Sequence, residues 1–262
     1  MNRIIAAAIT AAFVIAGLMT GCSELEKELI TGSGNPETVE FEYSDFSRLE
    51  VGHSFEVDVS SSETYSLSVT VDDNLLDHLD VRKSGETLII ALDSGYNYRD
   101  TTQLATITMP RITEVKLSGA SAADIGAFSS GNHISFRLSG ASSADLENLQ
   151  AGDASFRLSG ASRILAIVEV ADCEIDMSGA STITLAGSGD DLSADVSGAS
   201  RLSLEDFIVN NARVNLSGAS TGTVNSTGTL DASASGSSHL RYVGEPTLGH
   251  IDTSSSSSVS RQ

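Results

Sequence analysis

The tetrapeptide Ser-Gly-Ala-Ser recurs at near-constant spacing, and no other feature of the chain restricts its fold as strongly. Copies lie at Ser118–Ser121, Ser139–Ser142, Ser159–Ser162, Ser178–Ser181, Ser197–Ser200 and Ser217–Ser220, followed by an altered seventh, Ser235-Gly236-Ser237-Ser238. Successive central glycines are 21, 20, 19, 19, 20 and 18 residues apart. A period of this length held over seven copies marks a solenoid, in which each unit is completed by stacking on its neighbours. One unit alone would not fold. Four or five buried apolar side chains contribute ~1.5–3 kcal/mol each, against ~1–2 kcal/mol to order each of about twenty backbones.

The flanks of the motif decide which solenoid. Apolar residues sit two apart as the chain approaches each glycine: Val115 and Leu117, Phe136 and Leu138, Phe156 and Leu158, Ile175 and Met177, Ala194 and Val196, Val214 and Leu216, Ala232 and Ala234. Between them lie Lys116, Arg137, Arg157, Asp176, Asp195, Asn215 and Ser233. This period-two alternation continues after the glycine and predicts half-buried strands on both sides of a corner. The Leu-x-x-Leu-x-Leu frame of leucine-rich repeats and the paired Gly and Asp of calcium-binding nonapeptides are absent. The prediction is an all-β parallel β-helix whose coils stack at ~4.8 Å. The glycine takes the corner position that needs φ > 0, and the flanking hydroxyls satisfy backbone groups freed by the bend.

Residues 37–110 lack the motif but keep the alternation, as in Phe55-Glu56-Val57-Asp58-Val59 and Leu88-Ile89-Ile90-Ala91-Leu92. They are predicted to form irregular N-terminal capping coils, with a short helical turn or loop over Asp73–Leu79 and regular coils from about Pro110. The body is expected over 41–252, with a low-complexity Ser-rich tail at 253–262.

The amino terminus is of another kind. Met1-Asn2-Arg3 precedes an apolar run from Ile4 to Met19, too short for a spanning helix of ~20 residues and suited to a signal peptide. The run ends at Met19-Thr20-Gly21-Cys22, which resembles the bacterial lipobox, although Met19 stands where Leu is usual. The resemblance implies a signal peptide over 1–21 and diacylglycerol on Cys22. Residues 22–40, charged and then Gly- and Ser-containing, are expected to be a flexible tether. The other cysteine, Cys173, could pair with Cys22; with Cys22 lipidated it stands alone. Its neighbours Asp172 and Glu174 supply no cation to activate a thiolate.

The chain carries 15 Lys and Arg against 35 Asp and Glu, a net charge of −20. That excludes a nucleic-acid binder, whose affinity comes from cations on phosphates. It also argues against docking on anionic lipid through a basic patch.

Three segments together resemble the putative auto-transporter adhesin head GIN domain family: Phe46-Ser47-Arg48-Leu49-Glu50-Val51, Val71-Asp72-Asp73-Asn74-Leu75-Leu76, and Met109-Pro110 leading into Leu117-Ser118-Gly119-Ala120-Ser121. The resemblance spans about 45–250. It implies export, frequent lipid anchoring and a right-handed β-helix, and it supplies no catalytic residue.

The most catalytic-looking constellation is Asp176 and Asp195, expected to stack one coil apart beside Arg157 and Arg137. The plainer reading is a solvated face with Arg-to-Asp cross-coil pairs. Asp124 and Asp145 form a second such ladder. The five histidines (His53, His78, His133, His239 and His250) show no ligand spacing, so no metal site and no cofactor are expected. The serine ladder could bind carbohydrate or order water; seven equivalent corners needing one solution explain it more simply. The sequence thus points to a cell-envelope lipoprotein with a non-enzymatic, adhesin-like binding or scaffold domain. It would be held to the inner or outer membrane through Cys22 and contact a surface glycan or protein. A polysaccharide-active enzyme and an envelope-stress sensing module are the alternatives.

Overall fold

The computed structural model describes residues 27–262. Two long sheets face each other across a continuous apolar core. Strands that run into the corners form the inbound sheet and strands that leave them form the outbound sheet. In the regular coils an inbound strand such as Asp172–Met177 passes through its corner into an outbound strand such as Thr182–Ser188. Each strand pairs in parallel with its counterpart one coil away. The architecture is the predicted parallel β-solenoid, about 7 turns long.

The predicted inward positions form ladders. Val115, Phe136, Phe156, Ile175, Ala194, Val214 and Ala232 stack in one register, and all are buried. The rings of Phe136 and Phe156 lie 5.5 Å apart and 12° from parallel. Coil length varies without disturbing the corners because the strands between them absorb the difference, mostly in the outbound sheet and once in the inbound sheet between Leu230 and Ala232. Register shifts fall between Leu146 and Leu149, Thr184 and Ala186, and Leu204 and Ile208.

The corners explain the repeat. Gly119, Gly140, Gly160, Gly179, Gly198, Gly218 and Gly236 all have φ between 73° and 77°. The following residue donates its N–H to the glycine carbonyl of the preceding coil, as in Ala180 to Gly160 at 2.7 Å and Ala199 to Gly179 at 2.7 Å. The last serine of each copy is buried. Its hydroxyl donates to the carbonyl of the first serine, at 2.9 Å for Ser121 to Ser118 and 2.9 Å for Ser181 to Ser178. Ser200 instead reaches Gly179 O at 3.5 Å.

Register begins before the motif does. Arg48–Val51 and Glu56–Ser61 pair in parallel with Glu114–Leu117 and Ala122–Ile125. Gly52-His53-Ser54-Phe55 is therefore an earlier corner, with His53 in the glycine slot at φ 58°. The intervening chain builds the cap. Ser66–Asp72 pairs antiparallel with Pro36–Glu40 and with Gln103–Met109, and Leu79–Ser84 pairs antiparallel with Thr87–Leu92. A 3₁₀ turn over Asp73–His78, where a turn or loop was expected, buries Leu75.

Two boundaries need correction. The segment expected as a tether over 22–40 is structured from Leu29: Leu29–Thr31 pairs with Asn97–Arg99, and Pro36–Glu40 covers the edge of Ser66–Asp72. The buried Asp72 carboxylate accepts the N–H groups of Gly34 at 2.9 Å and Thr102 at 2.7 Å, fixing the Gly-containing turn. At the other end, the Ser-rich tail is a further coil. Thr247–Thr253 and Ser258–Arg261 extend the two sheets. Between them Ser254-Ser255-Ser256-Ser257 forms the corner, with Ser255 in the glycine slot at φ 61° and the Ser257 hydroxyl donating to Ser254 O at 2.6 Å.

Candidate functional site

On the outer surface of the inbound sheet, Glu50, Lys116, Arg137, Arg157, Asp176, Asp195, Asn215, Ser233 and Asp252 align one per coil. The expected neighbours Arg137, Arg157, Asp176 and Asp195 are thus brought into a single file. Beside it runs the row formed by the first serine of each copy. Together they border an open groove of about 530 Å³ along Lys116, Arg137, Arg157 and Asp176, with Ser118, Ser139 and Ser159 on its wall.

The expected Arg-to-Asp pairing does not form. Arg157 binds Glu174 at 3.2 Å, while Arg137 and Lys116 share Glu114 at 3.2 and 3.5 Å. A long guanidinium reaches the diagonal carboxylate two residues along the neighbouring strand more readily than the short Asp directly opposite. Asp195 instead accepts from the Asn215 amide at 2.8 Å. Apart from the largely buried Glu114 side chain, these groups are partly or fully exposed, and an exposed pair contributes ~0–1 kcal/mol. Asp176 and Asp195 are both exposed to solvent. The file is suited to hydrogen bonding and charge recognition.

The second expected ladder, Asp124 and Asp145, is also in register, and Asp58 extends it. It ends at Leu165, which takes the next rung. Among the described residues no group of three or more His, Cys, Asp or Glu converges to hold a metal.

The fold also assembles a cluster the linear spacing does not reveal. The ring of Tyr98 lies 6.4 Å from those of both His53 and His78, and Tyr96 lies 4.6 Å from His78. The cluster adjoins a groove of about 520 Å³ lined by Asp77, Asp80, Arg82 and Asp93. The His53 Nδ1 is buried without a hydrogen-bond partner. Burial raises the Tyr98 phenol above its ordinary 10.0, helped by the charges of Asp93 and then Tyr96. The only local signal was Tyr96-Asn97-Tyr98, because His53 and His78 arrive from separate segments.

Cys173 is buried between Ala154 and Leu192 in an inward ladder. Burial, with Glu174 adding to it, pushes its thiol up to about 12, so it stays protonated and unreactive at neutral pH. Cys22, the expected lipid attachment site, lies outside the described residues.

This geometry defines a parallel β-solenoid, with side chains displayed in files along its axis. The chain belongs to the family described as "Putative auto-transporter adhesin, head GIN domain", whose model matches residues 45–246. Among solved structures it is similar to a putative adhesin from Parabacteroides distasonis (TM-score 0.80, 18% identity, covering 90% of this chain and 100% of that one). It is likewise similar to a putative adhesin from Parabacteroides merdae (TM-score 0.78, 17% identity, 90% and 99%). A third neighbour is a protein described as a putative lipid binding protein from Parabacteroides distasonis (TM-score 0.77, 24% identity, 90% and 100%). No curated protein matches the chain.

Proposed function

We propose that the protein is an exported, non-enzymatic binding module of the cell envelope, anchored by lipid on Cys22 and contacting a surface glycan or protein through its outer files. The observation that carries this reading is the single-file display of outward-facing polar side chains, one per coil, from Glu50 to Asp252. Such a display matches a ligand that itself repeats or lies extended. The groove beside it is open rather than enclosing, and its carboxylates are exposed. Membership of an adhesin-type family supports the same reading. The apolar run ending at Gly21-Cys22 supports the anchor.

Two measurements test it. Cys22→Ala is expected to move the chain from the detergent to the aqueous phase on phase separation and to block incorporation of labelled fatty acid; a variant still partitioning with detergent removes the anchor. The full chain in non-ionic detergent is expected to retain members of a glycan and envelope-protein array without turning them over. Turnover of a polysaccharide, abolished by Asp176→Asn or Asp195→Asn, would replace the module with an enzyme.

A further inference from the structure

The outbound sheet carries a second feature on its outer surface. The residue following each corner forms one ladder: Ala122, Ser143, Arg163, Thr182, Arg201, Thr221, His239 and Ser258. Arg163 and Arg201 are exposed and lie two coils apart with Thr182 between them. Twice the spacing of hydrogen-bonded strands places them roughly 9.6 Å apart. Arg241 is exposed on the same face, two residues past His239.

Their partners set these arginines apart. Arg48, Arg82, Arg99, Arg111, Lys116, Arg137, Arg157, Arg213 and Arg261 each lie against a carboxylate. Lys27 and Lys83 donate to backbone carbonyls. Among the described residues only Arg163, Arg201 and Arg241 have neither kind of partner. In a chain of net charge −20, the three free guanidinium groups fall on one face of one sheet. The nearest acids in the register, Asp145 opposite Leu165 and Glu205 farther along the Arg201 strand, make no ion pair with them. Beside Arg163 the same strand exposes Leu165 and Ile167, 41% and 51% accessible.

We propose that this face binds a linear acidic polysaccharide whose carboxylate or sulfate groups recur once per disaccharide, laid along the solenoid axis. The inference rests on the binding-module reading and adds the ligand class and the face. A guanidinium recognises a carboxylate or sulfate through two parallel N–H donors. The two-coil interval is close to the length of one disaccharide in an extended glycan. The threonine rungs between the cations offer hydroxyls that both donate and accept to sugar hydroxyls, and Leu165 and Ile167 offer an apolar surface to a pyranose face. The row continues across eight successive strands, as an extended polymer requires.

The test measures binding of the full chain, in non-ionic detergent, to hyaluronan (one carboxylate per disaccharide), polygalacturonate (one per monosaccharide), neutral dextran and phosphatidylglycerol-containing vesicles. The expected order places hyaluronan first. Affinity should weaken as salt is raised, and Arg163→Gln with Arg201→Gln should lower it about tenfold. Arg99→Gln with Arg111→Gln, which lie outside both files against Asp100 and Glu86, should leave it unchanged. Equal binding of dextran, indifference to the Arg163 and Arg201 substitutions, or no binding to hyaluronan by the folded chain overturns the inference. Arginine-dependent binding to vesicles alone overturns it in favour of a lipid surface. Retention of other glycans or proteins on the array would leave the binding-module reading standing in each of these cases; a blank array would remove that reading as well.

Discussion

A Cβ atom on Gly179 would lie 2.3 Å from the carbonyl oxygen of Gly160, one coil below. The corner glycines are therefore held by two constraints, a left-handed backbone and the close stacking of one corner on the next. Gly119 separates them. It shares the conformation, at φ +74°, but its nearest neighbour is the His53 N–H nitrogen at 3.3 Å. Gly119→Ala should cost the conformational ~1–2 kcal/mol, a fall in melting temperature of roughly 2–8 °C. Gly179→Ala must also push apart two backbones joined by the Ala180-to-Gly160 bond, and should melt well below it. Equal losses at the two sites, read by thermal circular dichroism, would mean that stacking adds nothing to the requirement. Gly236 is no free terminus for such a comparison, because its Cβ would meet Gly218 O at 2.6 Å and Ser256 donates to its carbonyl.

The two serines of the motif do different work. Ser181 is fully buried and satisfies Ser178 O, whereas Ser178 is half-buried. Ser181→Ala should cost about 1–3 kcal/mol by stranding a buried acceptor; Ser178→Ala should stay within about 0.5 kcal/mol. Urea midpoints of the two variants check this, and a larger loss at Ser178 would assign the cap to the wrong hydroxyl.

The legible parts of the fold are those where one residue type is forced at each coil. Only glycine meets both corner constraints cheaply, so its spacing reports the pitch, and period-two alternation reports the inward ladders. Where another residue fills the glycine slot, the coil is hidden: His53 conceals the first corner and Ser255 the last. Pairings made at long range leave no local trace either. Leu29–Thr31 finds its partner at Asn97–Arg99, and His53 meets Tyr98 only through the cap. The file of Arg137, Arg157, Asp176 and Asp195 was readable from the repeat, but the choice of Glu174 by Arg157 depends on side-chain reach, which register alone does not specify.

Cys173 should make the protein alkali-sensitive. Its folded thiol keeps its proton to about 12, against an ordinary 9.0. Between those values the unfolded chain has released a proton that the native chain retains, so stability is intact below the lower value and falls as pH rises through the window, by about 1.4 kcal/mol per pH unit. Alkaline pH acts on the rest of the chain as well, so the measurement is a difference. Urea midpoints of the native chain and Cys173→Ala, followed from neutral pH to about pH 11, should converge as pH rises. Parallel curves would mean that the thiol is not held protonated by burial.

The final coil offers a substitution that should stabilise. Ser255 adopts φ 61° in the slot that glycine fills in the preceding coils, and Ser256 donates to Gly236 O at 2.9 Å as the alanines do elsewhere. A non-glycine residue in that region costs about 1–2 kcal/mol, from which glycine's greater loss of chain entropy, about 0.5–1 kcal/mol, must be subtracted. Ser255→Gly should therefore gain roughly 0–1.5 kcal/mol at the corner. In a stacked array a gain at the last coil acts mainly on fraying of that coil. The sensitive readout is amide hydrogen exchange of Ser258–Arg261 rather than the global melt. Slower exchange there, with the central coils unchanged, is the expected result. Unchanged or faster exchange would show that the Ser-rich segment is not held as a corner of the solenoid.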